Sequence, residues 1–459
     1  MVTRNAGLLH TRRKPYNKTM RSLPPLPEWV ALEHEVAQIL SKQERHGWYF
    51  DERSAWKLAS TLEQELQDLE KILRAKHPYV AGDRFTPKRN NKTSGYIEGT
   101  GYTELHEHCG ELLDIEECSF TRLKELNPTS RDHISWILQT FYGWTPTQLT
   151  TTGKPVVDEV ILTEIASEIS TTFARCLTVT KMLGMLSNGV NAWLRLCTTS
   201  SRIHHHCSVA TSTHRCAHRK PNLGQTPSDH EFRKLFQATP GQIMVGADLS
   251  GIELRMLAHY LSKWSTEFAD TLLNGDIHQV NADRVGVSRR AIKTITYAWC
   301  YGAGDEKIGH SFDPQLSSAK AKKQGKEIRA AFVAAIPGMS NLIANIDKAS
   351  KRGFIRSIDN RFITLDSPHK ALNYLLQSGA GVIAKRWMVI NQQTIKQTGL
   401  CCAQLAFIHD ELQFECEPKH AKDLAASLVF SAAAAGEYYN LRIPIAAEAK
   451  IGQNWAEVH

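Results

Sequence analysis

Near the C-terminal end, two short apolar runs, Leu405-Ala-Phe-Ile and Leu412-Gln-Phe, enclose the polar triplet His409-Asp410-Glu411. That pattern reads as a β-hairpin with charged residues at its turn. A third strand is expected at Gly241-Gln-Ile-Met-Val-Gly-Ala, ending at Asp248, and the helix after it carries Leu254, Leu257 and Leu261. Everything else with clear periodicity is helical, and no internal repeat is present. Helices around a small, late sheet define a mixed, α+β chain.

Residues 29–46 put Leu32, Val36, Ile39 and Leu40 on one helical face. After a break at Gly47, Asp51 can cap a second helix carrying Leu58, Leu62, Leu66, Leu69 and Leu73. Residues 76–122 read instead as an exposed, loop-rich insertion. Arg84, Lys88, Arg89 and Lys92 lie there among Gly, Pro, Asn and Thr, ahead of an acidic stretch from Glu111 to Glu117. Helical patterning resumes at 131–141, 159–186 and 288–310, and again at 317–332, where the lysines form a solvated face.

A length of 459 residues predicts two to four subdomains. No apolar run approaches the roughly 18 residues of a membrane span, so no membrane partner is expected. The net charge of +8 is compatible with a polyanionic partner, though weak evidence alone. The first 27 residues contain Arg4, Arg12, Arg13, Lys14, Lys18 and Arg21 and no acid, then Pro24, Pro25 and Pro27. They read as a basic flexible arm rather than an organelle transit peptide. Ten cysteines without a C-x-x-C pair point to reduced thiols in a cytosol. His204, His205, His206, Cys207, His214, Cys216 and His218 are all metal-ligating types, but their spacing fits no usual zinc pattern, and no metal is expected among them.

Two carboxylates at strand ends, Asp248 and Asp410, stand 162 residues apart. Such a pair can hold two Mg²⁺ ions about 3.5–4 Å apart, clamping the attacking and leaving oxygens of an in-line displacement. Taken singly, each is better read as an Asp capping the turn after its strand. Arg289, Lys293, Tyr297 and Tyr301 recur every four residues, each displaced about 40° around a helix from the last. The stripe could receive a triphosphate along its cations and a sugar and base along its rings. It could equally be a solvated face, and spacing alone does not decide.

Longer strings do decide. Asp248-Leu-Ser-Gly-Ile-Glu253-Leu-Arg resembles motif A of the family A DNA polymerases, Arg289-x-x-x-Lys293-x-x-x-Tyr297-x-x-x-Tyr301-Gly302 their motif B, and His409-Asp410-Glu411 their motif C. Asn127-Pro-Thr-Ser-Arg-Asp-His, Asn274-Gly-Asp-Ile-His278, Tyr301-Gly-Ala-Gly-Asp-Glu-Lys, Ser367-Pro-His-Lys-Ala-Leu-Asn373-Tyr-Leu-Leu-Gln377-Ser and Gly452-Gln-Asn-Trp-Ala-Glu-Val-His459 look like the replicative branch of that family in short-tailed phages. They run in order from about residue 28 to the end.

The resemblance implies a right-hand architecture: thumb at 28–200 with the insertion 76–122, palm at 201–262 and 365–459, fingers at 263–364. It implies template-directed addition of dNTPs to a primer 3′-OH, with two Mg²⁺ held by Asp248, Asp410 and the Leu249 carbonyl, and Glu411 as an auxiliary carboxylate. Arg289, Lys293 and His278 would hold the triphosphate, with Tyr297 and Tyr301 at the nucleotide. Glu253 would exclude a ribose 2′-OH. Arg215, Asn373, Gln377 and His409 would meet the minor groove, whose acceptors are common to all correct pairs. The implied partners are primer–template DNA and dNTPs, with a host processivity factor such as thioredoxin at the insertion and a helicase–primase; the N-terminal exonuclease domain of phage relatives is expected to be either lost or replaced by a separate exonuclease polypeptide. The implied location is the cytoplasm, that of a bacterial host if phage-encoded. Ala298 and His214 replace glycines usual in the family, and Asp366 stands where the phage branch has Arg. A single-subunit RNA polymerase would share much of motif B but lack the Glu253 carboxylate, and a dead DNA-binding subunit would lack the two metal aspartates.

Overall fold

The computed structural model describes residues 26–85, 89–90, 95–96, 120–146, 148–313 and 316–459. The basic arm before residue 26, and the interior of the insertion with its acidic stretch, lie outside them.

The helical hairpin at the start forms as its periodicity predicts. Helix α1 (Glu28–His46) buries Leu32, Val36 and Leu40, and α2 (Glu52–Lys76) is capped by Asp51, whose carboxylate accepts from the Ser54 amide. The connection holds a strand of its own, β1 (Trp48–Phe50). The insertion opens and closes as an antiparallel ladder, β2 (Tyr79–Phe85) with β3 (Phe120–Glu125), from Tyr79 opposite Glu125 to Phe85 opposite Phe120. The loop-rich reading of 76–122 is corrected at both ends. Beyond it come α3 (Arg131–Tyr142), α4 (Glu159–Ile165) and α5 (Glu168–Leu183), so the helical patterning over 159–186 resolves into two helices parted at Ala166. Leu73, Ile134, Leu162 and Phe173 close a core among these helices.

Strand β4 (Arg202–Ile203) precedes a small hairpin, β5 (His206–Ser208) with β6 (Ala217–Arg219), and β7 (Phe236–Gln237) follows. Strands β4, β1 and β7 form a three-stranded sheet. Against it Trp48, Phe50, Trp193, Phe236 and Trp455 build an aromatic core.

Strand β8 (Ile243–Leu249) is central to the main sheet, which explains its nearly continuous apolar run: both of its faces are covered. Gly246 is required there, because a Cβ would lie 2.6 Å from the Gln413 amide and 2.7 Å from the Val458 carbonyl. Five helices follow: α6 (Ile252–Leu261), α7 (Glu267–Asn274), α8 (Ile277–Val285), α9 (Arg289–Cys300) and α10 (Asp305–Phe312). The helical stretch expected over 288–310 is thus two helices, parted at Gly302, which takes a φ of +75°. Helices α11 (Ser318–Ala335) and α12 (Met339–Ser350) and a hairpin of β9 (Phe354–Arg356) with β10 (Phe362–Thr364) lead to α13 (Ala371–Thr398), at 28 residues about 42 Å long. Strands β11 (Cys402–Ile408) and β12 (Glu411–Cys416), helix α14 (Ala421–Tyr438) and β13 (Ala447–Gly452) complete the chain.

The main sheet has the antiparallel order β11-β12-β8-β13. Its core of Val245, Leu257, Trp387, Phe414 and Leu428 continues into the 263–364 helices. Helix α1 is fastened to this body by partly buried ion pairs. The Lys385 ammonium meets both Glu33 oxygens at 2.7 and 2.8 Å, Arg361 also pairs with Glu33, and Arg386 with Glu28.

Candidate active site

The β11–β12 turn places Asp410 one residue before Glu411, and the sheet register places Glu411 directly across from Asp248. The Leu249 amide donates to the Asp410 carbonyl at 3.0 Å, which stitches the two motifs together. Three carboxylates therefore meet at one end of the sheet. Desolvation and then the neighbouring Glu411 charge push the Asp248 carboxyl up to about 6. Desolvation, Asp248 and Glu253 push Asp410 up to about 7. Carboxylates crowded in this way favour a proton or a cation between them. The carboxylates are oxygen donors, the kind that hard divalent cations take.

Glu411 itself is fully engaged by protein. Its Oε1 accepts from Trp455 Nε1 at 2.6 Å and from the Gln413 amide, and His459 Nδ1 lies 3.2 Å from its Oε2. Arg233, stacked 5.0 Å over the Trp455 ring, couples electrostatically to Glu411 and Asp248. Arg233, Gln413, Trp455 and His459 were not singled out as site residues from sequence. Only the closing string Gly452–His459, already notable as a string, could have pointed to two of them.

Glu253, in the first turn of α6, is buried. Its Oε1 accepts from Arg215 Nη2 at 2.6 Å and from the Tyr301 hydroxyl at 3.0 Å. Arg215 follows His214, whose φ of +61° lies in the left-handed region that favours glycine. The imidazole is anchored there: His214 Nδ1 is 2.7 Å from Ser378 Oγ, which donates to Ser357 Oγ at 2.8 Å.

Helix α9 carries the basic and aromatic stripe. Ser288 caps it, Arg289 and Lys293 are exposed, and Tyr297 is half-buried. Tyr301 belongs to the cap rather than the helix, and this bend turns its hydroxyl to Glu253. Arg289 Nε donates to Asp276 at 2.7 Å, and Asp276 also caps α8 by accepting from the His278 amide at 3.0 Å. His278 is buried with its Nδ1 unpartnered, and its ring centre is 6.0 Å from that of Tyr297. Burial, then Lys293 and Arg289, lower its pKa and keep the ring neutral. Asn373 donates to the Cys300 carbonyl at 2.7 Å, Gln377 is half-buried one helical turn further on, and His409 is exposed at a φ of +57°. Asp366 pairs with Lys370 at 2.7 Å.

A model of DNA polymerase family A matches residues 103–457, well over half of the chain. The DNA-directed DNA polymerase of Enterobacteria phage T3 is 31% identical over 94% of this chain and 70% of its own length. That of Escherichia phage T7 is 30% identical over the same shares. Among solved structures, the POL domain of Pol1 from M. smegmatis, in complex with DNA primer-template and dNTP, superimposes with a TM-score of 0.71 at 21% identity, covering 93% of this chain and 70% of that one. The fold is thus the right-hand polymerase fold, mixed helix and small antiparallel sheet, and the chain belongs to DNA polymerase family A, as a DNA-directed DNA polymerase.

Proposed function

We propose that the chain extends primer 3′ ends on a DNA template with dNTPs in phage DNA replication, at a site where Asp248, Asp410 and the Leu249 carbonyl hold two Mg²⁺ ions. The observation that carries this reading is the register that sets Asp248 opposite Glu411, with Asp410 in the adjoining turn. When bound, the ions supply Lewis-acid stabilisation of charge at the attacking and leaving oxygens.

The remaining work falls to side chains of this chain. Arg289 and Lys293, on one exposed face of α9, bind the triphosphate; Arg289 exchanges its Asp276 partner for phosphate oxygen. His278 adds a neutral imidazole, which can donate an N–H to the same group. Glu253, fixed by Arg215 and Tyr301, closes the volume that a ribose 2′-OH would need. Arg215, Asn373, Gln377 and His409 contact the newest base pair. The chain divides on this reading into thumb (28–200), palm (201–262 and 365–459) and fingers (263–364); a core of its own within 73–176 supports the outer thumb, while palm and fingers share one core with α1.

Primer extension by Asp248→Asn and Asp410→Asn chains in Mg²⁺ is the test. Nucleotide addition should vanish while primer–template binding, read by fluorescence anisotropy, persists. Substantial extension by either variant overturns the assignment.

A further inference from the structure

Seven His and Cys residues crowd residues 204–218, at a spacing that matches no usual zinc pattern. Folding sorts them. His204 bonds to the Glu44 backbone carbonyl, His206 to the Glu44 carboxylate, and His214 to Ser378. His205, Cys207 and His218 converge instead, their ligand atoms all within 4.8 Å of one another. The hairpin explains this: Cys207 on β5 sits directly opposite His218 on β6, and His205 precedes Cys207 by two residues, the repeat that returns a side chain to one face. Cys207 Sγ is 3.2 Å from His218 Nδ1.

All three are buried, and His205 Nδ1 and His218 Nε2 have no hydrogen-bond partner. The Gln43 amide reaches in from α1, 3.1 Å from His205 Nε2 and 3.7 Å from Cys207 Sγ. Beyond the Cys207–His218 contact, one amide group serves both His205 and Cys207, and the other nitrogen of each imidazole is left without compensation for its burial. Burial holds His205 and His218 neutral, at about 3 and about 4, so both imidazoles keep a lone pair for coordination.

We infer that His205, Cys207 and His218 form a binding site for a thiophilic divalent cation, Zn²⁺, distinct from the carboxylate pair at Asp248 and Asp410. Two imidazoles and a thiolate suit Zn²⁺ and are poor ligands for Mg²⁺, which prefers oxygen. Binding displaces the Gln43 amide and forms one Zn–S and two Zn–N bonds. The Cys207 thiol proton leaves to solvent, which the cation's charge drives. The ion would pin the hairpin whose loop presents Arg215 to Glu253. It would also stiffen His218, whose ring packs 5.9 Å from that of His409.

The full chain, purified without chelator, is assayed for metal by mass spectrometry, then stripped and titrated with Co²⁺, whose thiolate charge-transfer absorption reports sulfur coordination. A single equivalent of Zn²⁺ and a Co²⁺–thiolate band are expected. The band should be lost in Cys207→Ser and kept in Asp410→Asn. Should Cys207→Ser not fold, alkylation of the wild-type chain replaces it, with Cys207 blocked by Zn²⁺ and exposed by chelator. No band from the folded wild-type chain, a band that survives Cys207→Ser, or Cys207 alkylation indifferent to Zn²⁺ overturns the site.

Discussion

Tyr301→Phe isolates one bond to the carboxylate proposed to police the sugar. Glu253 Oε1 accepts from Tyr301 at 3.0 Å and from Arg215 at 2.6 Å. Burial, with Glu253 beside it, pushes the Tyr301 phenol up to about 12, so it stays a donor at any practical assay pH. A hydrogen bond to a charged acceptor contributes about 1.5–3 kcal/mol. Because Arg215 remains on the same oxygen, Glu253 is not left unpaired, and the loss should fall at the low end, about 1.5 kcal/mol, or roughly tenfold. A Glu253 side chain freed to that extent can yield to a 2′-OH. The ratio of kcat/KM for ribonucleotide over deoxynucleotide should therefore rise by up to about tenfold, while dNTP addition changes little. Glu253→Ala, which removes the carboxylate outright, should raise the ratio at least as far. A ratio unmoved by Tyr301→Phe but raised by Glu253→Ala would refute the claim that this hydroxyl holds the gate.

Tyr297 lies near Glu253 and Asp410, and desolvation is the first cause of its raised pKa; its hydroxyl can replace the 3′-OH that a dideoxynucleotide lacks. Tyr297→Phe should reduce ddNTP use relative to dNTP by roughly 2- to 10-fold, the worth of one hydrogen bond, and equal selectivity in competition assays would place that hydroxyl elsewhere. Asp248 and Asp410 are raised from an ordinary 3.8 to about 6 and about 7, so their contribution to the stability of the metal-free chain is present below 3.8 and lost as pH rises through those values. Thermal melts in chelator should show Tm falling across that window, less so in Asp410→Asn, with divalent cations restoring it; equal pH slopes for the two chains would count against the coupling. Glu33→Gln leaves the Lys385 ammonium, 1% exposed, without its counter-charge, and should cost about 3–5 kcal/mol in urea unfolding; a loss below about 1 kcal/mol would mean that water reaches Lys385.

What could be read from sequence was local. The period of α9 puts Arg289, Lys293 and Tyr297 on one face, and two apolar runs around His409-Asp410-Glu411 force that triplet into a turn, because those positions are tied by a few covalent bonds. The ordered motifs identified the family for the same reason. Helix boundaries failed where a glycine break or a backbone contact intervened, as at Gly302, and the strands at the base of the insertion were hidden because their partners lie some forty residues apart. Tertiary structure alone set Asp248 opposite Glu411, gathered Arg215 and Tyr301 onto one oxygen of Glu253, and closed Trp455 and His459 over Glu411. It also buried Lys385, which composition would assign to solvent, and brought three of the seven His and Cys residues together. Those outcomes depend on sheet register and on which face each helix buries, and both are settled by the packing of the whole chain rather than by any stretch of it.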